Sequence, residues 1–333
     1  MLRQRLRVTA LLFALCATAA PGGGSQDDPS HDFSRSALDR RAPITAERSY
    51  TLNAGVRLLL FWVRRDNVGS ATLTWRAGGG DHRVLEFLVG SDPDRAPRRI
   101  NRWGFVAEEV RPPHASLLGI MTQSDEQSAD EADSQTSDRS RTNGHPYRAI
   151  RTTIRTGSAS GGVFRGSDER RFTYRDLEAL LKLIPAEIPG QRVVSMPKGT
   201  RPGFMFALEE LITGAIDPCR GSSRKPPAAL PYVYNNAFHT LKMRTCDFRS
   251  EFQIGDRVFS GVIRAEFETT NLSTGTQTPF RRVYGAEGDL RGVPLRIVFR
   301  PQWWFEAELV LDDPAVSQEL RTSNARRGLT WWH

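Results

Sequence analysis

Residues 257–270, RVFSGVIRAEFETT, decide the fold class of this chain. From Phe259 to Phe267 every second residue is apolar or small, and most of the residues between them are polar or charged. This alternation is typical of a β-strand that buries one face and exposes the other. Residues 295–299 and 303–311 repeat the pattern. The last third of the chain therefore predicts antiparallel strands with one buried face.

The last two of these segments also predict how they pair. Side chains alternate with a period of two, so apolar residues of neighbouring antiparallel strands oppose one another only when their residue numbers have an even sum. A loop with an odd number of residues satisfies this condition, and the simplest one is residues 300–302. The expected pairs are Phe299 with Trp303, Ile297 with Phe305, and Arg296 with Glu306.

Earlier in the chain, with structure expected to begin near Tyr50, enrichment in Val, Leu, Phe and Trp predicts strands at residues 56–64, 70–76, 83–89 and 103–107. Turn-forming residues lie between them at positions 66–67, 78–81 and 91–94. With a further strand at 147–155, the pattern predicts a mainly β fold. We expect an antiparallel curved sheet that forms a barrel or half-barrel, with a sandwich as the alternative. At the level of the fold this is similar to lipocalin-like domains of the bacterial envelope, although no motif identifies a family.

A small helical pair is predicted within residues 170–218. Thr173 and Asp176 have the spacing of a capping arrangement. The apolar residues that follow have the spacing of an amphipathic helix ended by Pro185, and they are Leu177, Leu180, Leu181 and Ile184. A second helix is expected over residues 202–213, with Gly214 at its end.

The first 20 residues have the three-part pattern of a secretory signal peptide. Basic residues precede an apolar stretch at positions 8–17, and small residues follow it. We expect cleavage near Ala20, a periplasmic or secreted bacterial protein, and no transmembrane span in the mature chain. Residues 21–47 have no sustained hydrophobic period and are expected to form a flexible leader.

Cleavage would also decide the state of the cysteines. It removes Cys16 and leaves Cys219 and Cys246, an even number in a compartment that permits disulfides. We predict that these two are bonded, with two free buried thiols as the alternative. The bond would close a loop of 246 minus 219, or 27, positions, which corresponds to about 3.5 kcal/mol of stability.

The composition excludes one class of protein. The 333 residues are 25% charged and 39% apolar, and the only long apolar run is at the N-terminus, so a polytopic helical membrane protein is excluded.

Residues 122–144 carry six acidic and two basic side chains with little to bury, which predicts a disordered insertion. The chain thus divides into a signal peptide (1–20), a leader (21–47), a strand-rich region (48–165), the helical pair (170–218), a C-terminal β region (228–314) and a tail (315–333).

Motifs for several chemistries are missing from the sequence. Neither G-x-x-x-x-G-K-[ST] nor G-x-G-x-x-G occurs, and residues 157–161, GSASG, place Ala where a serine hydrolase has its nucleophile. We interpret that stretch as a glycine-rich turn. Ser195 and Lys198 have S-x-x-K spacing, but Pro197 would disturb the helical turn that this motif needs. The six histidines lack metal-ligand spacing and the disulfide would use both cysteines, so we predict no cofactor and no metal site.

The candidate ligand contacts are apolar residues expected on the inner face of the sheet, namely Ile263, Phe267, Ile297 and Phe305. Trp304 is a further candidate, either exposed to a sugar ring, a lipid chain or a partner, or covered by a helix or loop. Glu306 and Glu308 share one strand face about 6.6 Å apart, near the separation that some glycosidases use. The simpler interpretation is a wet surface with a salt bridge to Arg296.

Export argues against nucleic acid as a partner, and the expected partners are a lipid, an amphiphile or an anionic envelope polymer. Basic doublets such as Arg281 and Arg282 are candidates for contacts with such an anion, but arginines scattered for solubility are the preferred interpretation. The leading expectation is a non-enzymatic envelope protein that binds an apolar or amphiphilic ligand or acts as an assembly module. The alternative is a hydrolase of cell-wall or polysaccharide substrates whose carboxylates the fold assembles. A closed apolar cavity would favour the first function, and an open cleft with convergent carboxylates would favour the second.

Overall fold

The computed structural model describes residues 40, 42–58, 61–122, 144–188, 191–221, 228–302 and 305–312. Within these ranges, fourteen strands form one antiparallel sheet that is curved and does not close. The predicted mainly β fold with an antiparallel curved sheet is therefore confirmed, as an open sheet. The predicted signal peptide, the tail and residues 123–143 of the acidic insertion lie outside the described residues.

The strands are β1 (Ile44–Leu58), β2 (Phe61–Ala77), β3 (Arg83–Ser91), β4 (Trp103–Arg111), β5 (His114–Thr122), β6 (His145–Arg155), β7 (Ser158–Asp168), β8 (Arg192–Ser195), β9 (Leu230–Tyr234), β10 (Ala237–Ile254), β11 (Arg257–Asn271), β12 (Gln277–Gly285), β13 (Pro294–Gln302) and β14 (Phe305–Leu311). From one edge of the sheet, β8 to β1 follow one another in descending order. β14 lies next to β1, and β14 to β9 then follow in descending order to the other edge. β1 joins the two halves, because Tyr50 lies opposite Ala71 on β2 and opposite Leu311 on β14. The N-terminal and C-terminal strand regions thus share one sheet.

Curvature brings the two edges of the sheet towards each other. Asn236, in the turn between β9 and β10, donates its side-chain N–H groups to the backbone oxygens of Gly161 in β7 and Arg192 in β8, at 2.5 and 2.8 Å. Arg201 also forms a parallel bridge with Tyr232 in β9. These contacts connect the edges without a continuous ladder of strand hydrogen bonds.

The N-terminal strands differ in part from the prediction. β1 begins at Ile44, so residues 44–47 of the expected leader belong to a strand. Residues 56–64, predicted as one strand, instead contain the end of β1 and the beginning of β2, which pair with Val56 opposite Val63. Its sequence, VRLLLFWVR, contains no Gly, Pro, Asn or Asp that would mark a chain reversal. Residues 66–67, expected in a turn, lie inside β2, and residues 158–161 of the expected glycine-rich turn lie inside β7.

The register of β13 and β14 also needs correction. The observed pairs are Ile297 with Leu309, Phe299 with Ala307 and Arg296 with Val310, in place of Phe305, Trp303 and Glu306. The expected loop at residues 300–302 is wrong because β13 continues to Gln302, which pairs with Phe305. The pair Gln302 and Phe305 has an odd residue sum. A register shift between Phe299 and Gln302 gives the remaining pairs an even sum, so their apolar residues still oppose one another.

The two predicted helices are present with different ends. α1 (Leu177–Leu181) follows the capping box that Thr173 and Asp176 form, and it ends four residues before Pro185. α2 (Phe204–Arg220) continues past Gly214, where a stop was expected. Its last turns bury Ala215, Ile216 and Cys219, so packing against the sheet outweighs the low helix propensity of one exposed glycine.

The two helices lie on opposite faces of the sheet. α2 packs on the concave face, and its buried residues share a core with β9, β10 and β11. Leu177 and Leu180 of α1 pack on the other face against Phe105 and Ala107 of β4. The predicted disulfide between Cys219 and Cys246 is confirmed, and it ties the end of α2 to β10 with the two Cα atoms 5.7 Å apart.

Candidate ligand-binding cavity

A cavity of about 490 Å³ lies between the concave face of the sheet, helix α2 and the loop that precedes β13. This volume falls within the range of about 300–1,000 Å³ that is usual for small-molecule sites. The wall is mostly apolar and both halves of the sheet contribute to it, with Leu52, Leu73, Trp75, Phe87, Ile297 and Leu309 among its residues. Phe204, Leu208 and Ile212 of α2 form the opposite side.

One cross-strand row shows how strand pairing builds this wall. Leu52 on β1 lies opposite Leu309 on β14, which lies opposite Ile297 on β13. Ile297 in turn lies opposite Arg282 on β12. Neighbours in such a row lie on the same face of the sheet. The row therefore places one arginine in line with three aliphatic side chains on the concave face.

Arg282 is buried in this wall, with 7% of its surface exposed. Its Nε has no hydrogen-bond partner, and among the described residues no carboxylate pairs with its guanidinium. Burial lowers the pKa of Arg282 to about 10, while the nearby Tyr50 and Tyr284 act in the opposite direction. At this pKa the guanidinium carries its charge at neutral pH.

Three of the four other charged residues in the cavity wall have partners, and the fourth, Asp289, is exposed to solvent. Glu209 of α2 lies 3.2 Å from the guanidinium of Arg83. Arg291 donates to the backbone oxygen of Ala286 at 3.1 Å and lies 3.6 Å from Asp217. Arg282 differs from these because its charge has no such compensation in the described part of the chain.

Glu108 of β4 holds the beginning of α2 against the sheet. Its two carboxylate oxygens accept the backbone N–H groups of Met205 and Phe206 at 2.9 and 3.0 Å. These N–H groups belong to the first helical turn and have no acceptor within the helix. A Cβ atom at Gly203 would lie 2.3 Å from the Glu108 carboxyl carbon, so this close approach requires glycine.

The same contacts set the charge state of Glu108. The carboxyl group is fully buried, and burial raises its pKa from 4.5 to about 7. The backbone N–H groups of the first turn of α2 oppose this effect, because they favour the anion, whereas Glu209 adds to it. Glu108 thus serves as an acceptor for the helix and is not available as a separate acid or base.

The structure distributes the five predicted ligand contacts differently. Ile297 lines the cavity. Phe305 is half-buried on the same strand face as the cavity residues Ala307 and Leu309. Ile263 and Phe267 lie on the inner face of the sheet, fully buried in the packed core beside α2, and are not among the residues that line the cavity. Phe267 stacks on the cavity residue Phe280 with ring centres 5.0 Å apart. Trp304 lies outside the described residues.

Glu306 and Glu308 form salt bridges with arginines as expected, but both glutamates are buried, so the expected wet surface is wrong. Glu306 is 3% exposed and lies 2.9 Å from Arg64 and 2.5 Å from Arg300. Arg296 contacts Glu308 at 2.5 Å. The two carboxylates are thus held by arginines on the face of β14 that points away from the cavity, since Ala307 between them lines it.

Two of the described histidines have packing or ion-pair roles. His239 is fully buried and stacks on Tyr232 with ring centres 5.1 Å apart, and burial lowers its pKa to about 4. His82 lies 2.9 Å from Glu109 on the opposite face of β4 from Glu108. The described ranges contain no group of three or more His, Cys, Asp or Glu side chains that could hold a metal ion. They also contain no helix with the length and apolar character that crossing a membrane requires.

Comparisons with protein-family models, with curated proteins and with solved structures find no match to this chain. The sequence did not single out Arg282 for its place in the cavity wall, nor Glu108 for its contact with the start of α2. A signal was present for Arg282, because it alternates with Phe280 and Tyr284, which are apolar residues of the buried face. Nothing in the sequence indicated that Glu108 would meet the start of a helix almost 100 residues later.

Proposed function

We propose that this chain is a non-enzymatic protein of the bacterial envelope that binds an apolar or amphiphilic ligand within its curved sheet. The observation that carries the proposal is the apolar cavity of about 490 Å³ between α2 and the concave face. Cores are normally close-packed, so an apolar space of this size represents many contacts that no protein atom makes. A ligand with a hydrocarbon part would supply them.

Two features support export to an oxidising compartment. The first residues have the pattern of a cleavable signal peptide. The only two cysteines beyond that segment form a disulfide that links α2 to the sheet. Disulfides of this kind persist in the periplasm and outside the cell. A curved antiparallel sheet around an apolar cavity is also the general arrangement of lipocalin-like carriers.

The carboxylates near the cavity favour binding over hydrolysis. Glu108 is occupied by the backbone of α2, and Glu209 pairs with Arg83. Glu306 and Glu308, the pair with glycosidase-like spacing, are held by arginines on the other face. Among the described residues, the hydrolase alternative therefore has no pair of free carboxylates in the cavity.

The proposal is tested with N-phenyl-1-naphthylamine, an uncharged apolar probe whose fluorescence rises in a dry environment. We expect saturable binding of one probe per chain. Ala307→Phe should reduce that affinity at least about tenfold, because the new ring occupies the space that Ala307 leaves in the wall. Circular dichroism and thermal unfolding verify that the variant folds.

The matched control is Val63→Phe, which adds a ring at an exposed position, since Val63 is 54% exposed. It should leave probe binding unchanged. Absence of saturable binding by the unaltered protein would refute the proposal, and so would equal affinities of the unaltered protein and Ala307→Phe.

A further inference from the structure

Arg282 is a costly residue in its position. Its neighbours across the sheet are Ala265 on one side and Ile297 on the other, so the guanidinium lies in an apolar row. A buried charge is strongly unfavourable unless it is paired, and replacement of such a charge by an apolar side chain often leaves a protein more stable. No carboxylate of the described residues offsets this cost.

The surroundings of Arg282 resemble a binding site more than a structural ion pair. Tyr50 lines the same cavity, and both Tyr50 and Tyr284 are close enough to influence the guanidinium electrostatically. The Tyr284 hydroxyl is buried and has no hydrogen-bond partner among the described residues. Burial raises the pKa of Tyr284, so its hydroxyl remains a hydrogen-bond donor. The guanidinium of Arg282 and the hydroxyl of Tyr284 are therefore two donors beside the apolar part of the cavity wall.

We propose that the ligand is an anionic amphiphile whose head group, a carboxylate or a phosphate, pairs with Arg282 while its hydrocarbon chain fills the rest of the cavity. This inference rests on the proposed function and specifies the class of ligand. The planar guanidinium can donate two parallel N–H groups to one carboxylate or phosphate, and such charge-assisted bonds are strong where water is excluded. A ligand of this kind would supply the missing counter-charge and the missing apolar contacts together.

The sequence provides a matched control in the adjacent residue. Arg281 alternates with Arg282 along β12 and therefore lies on the opposite face of the sheet. Its guanidinium is half-exposed and lies 3.6 Å from Glu306. Arg281→Met and Arg282→Met thus remove the same group from neighbouring positions, and only the second change affects the cavity wall.

The test is displacement of N-phenyl-1-naphthylamine by four twelve-carbon compounds below their micelle concentrations: dodecanoate, dodecyl phosphate, 1-dodecanol and dodecyltrimethylammonium. The unaltered protein should bind one or both anions about 10- to 100-fold more tightly than the alcohol, as expected for a charge-assisted bond in a dry site. The cation should bind more weakly than the alcohol. The order of the two anions identifies the preferred head group.

Arg282→Met should remove the preference for the anions and retain the affinity for the alcohol, whereas Arg281→Met should change neither. Arg282→Lys keeps a positive charge and should retain part of the preference, which provides a second readout if Arg282→Met fails to fold. Equal binding of anions and alcohol by the unaltered protein would overturn this inference and leave the proposed function intact. Failure of the probe itself to bind would instead refute the proposed function.

Discussion

Replacement of Glu108 by glutamine should change how the stability of this protein depends on pH. The pKa of Glu108 is about 7 in the folded protein and 4.5 in the unfolded chain, so the folded state favours the protonated acid. That contribution to stability is complete below pH 4.5 and is lost as the pH rises through about 7. At roughly 1.4 kcal/mol for each pKa unit, the total is about 3.5 kcal/mol. About 2.5 kcal/mol of it falls between pH 5 and pH 8.

Glutamine does not ionise, so Glu108→Gln should lack this loss. The assay is urea unfolding of both proteins at pH 5 and at pH 8, with the disulfide intact. The free energy of unfolding should fall about 2.5 kcal/mol more in the unaltered protein than in Glu108→Gln. Subtraction removes the contribution of His239, whose lowered pKa acts mainly below pH 6.5. Glu210→Gln is the control, because the guanidinium of Arg201 holds the pKa of Glu210 below 4.5. If Glu108→Gln loses as much stability as the unaltered protein, Glu108 is not the buried acid described above.

Two further predictions concern the attachment of α2. Gly203→Ala should lower the free energy of unfolding by about 2 kcal/mol or more, because the new Cβ would displace the Glu108 carboxylate from its two backbone donors. In the same helix Gly214→Ala meets no atom within 4 Å and should raise stability by up to about 1 kcal/mol, so similar effects of the two changes in denaturant unfolding would contradict the proposed contact. Reduction of the bond between Cys219 and Cys246, 27 positions apart, should lower stability by about 3.5 kcal/mol. An unfolding midpoint that dithiothreitol leaves unchanged would show that the bond does not constrain the chain.

Local patterns predict most of the sheet because one of its faces is buried. In β11 the alternation from Phe259 to Phe267 indicates both the strand and its inward face, and the structure has both. The pairing of β13 with β14 shows the limit of this reasoning. The parity of the register follows from which residues are apolar, but the actual pairs depend on a register shift that no residue type indicates.

The features of the cavity depend on contacts between distant parts of the chain. Glu108 is buried because the N–H groups of Met205 and Phe206 satisfy it, and these residues lie in a different element. Arg281 and Arg282 are adjacent in sequence, and only Arg282 is buried. Because both are arginines, composition alone does not show which of the two faces inward. Sequence alternation identifies the faces of a strand, whereas the position of α2 over one face creates the cavity.

The central claim is that the space under α2 holds a hydrocarbon chain. Native mass spectrometry of the full protein purified from cells without detergent tests it most directly. We predict a mass increase of one amphiphile per chain in the unaltered protein and a smaller bound fraction in Ala307→Phe, because the new ring occupies part of the cavity. A bare mass for the unaltered protein that persists after incubation with dodecanoate and with 1-dodecanol would contradict the claim.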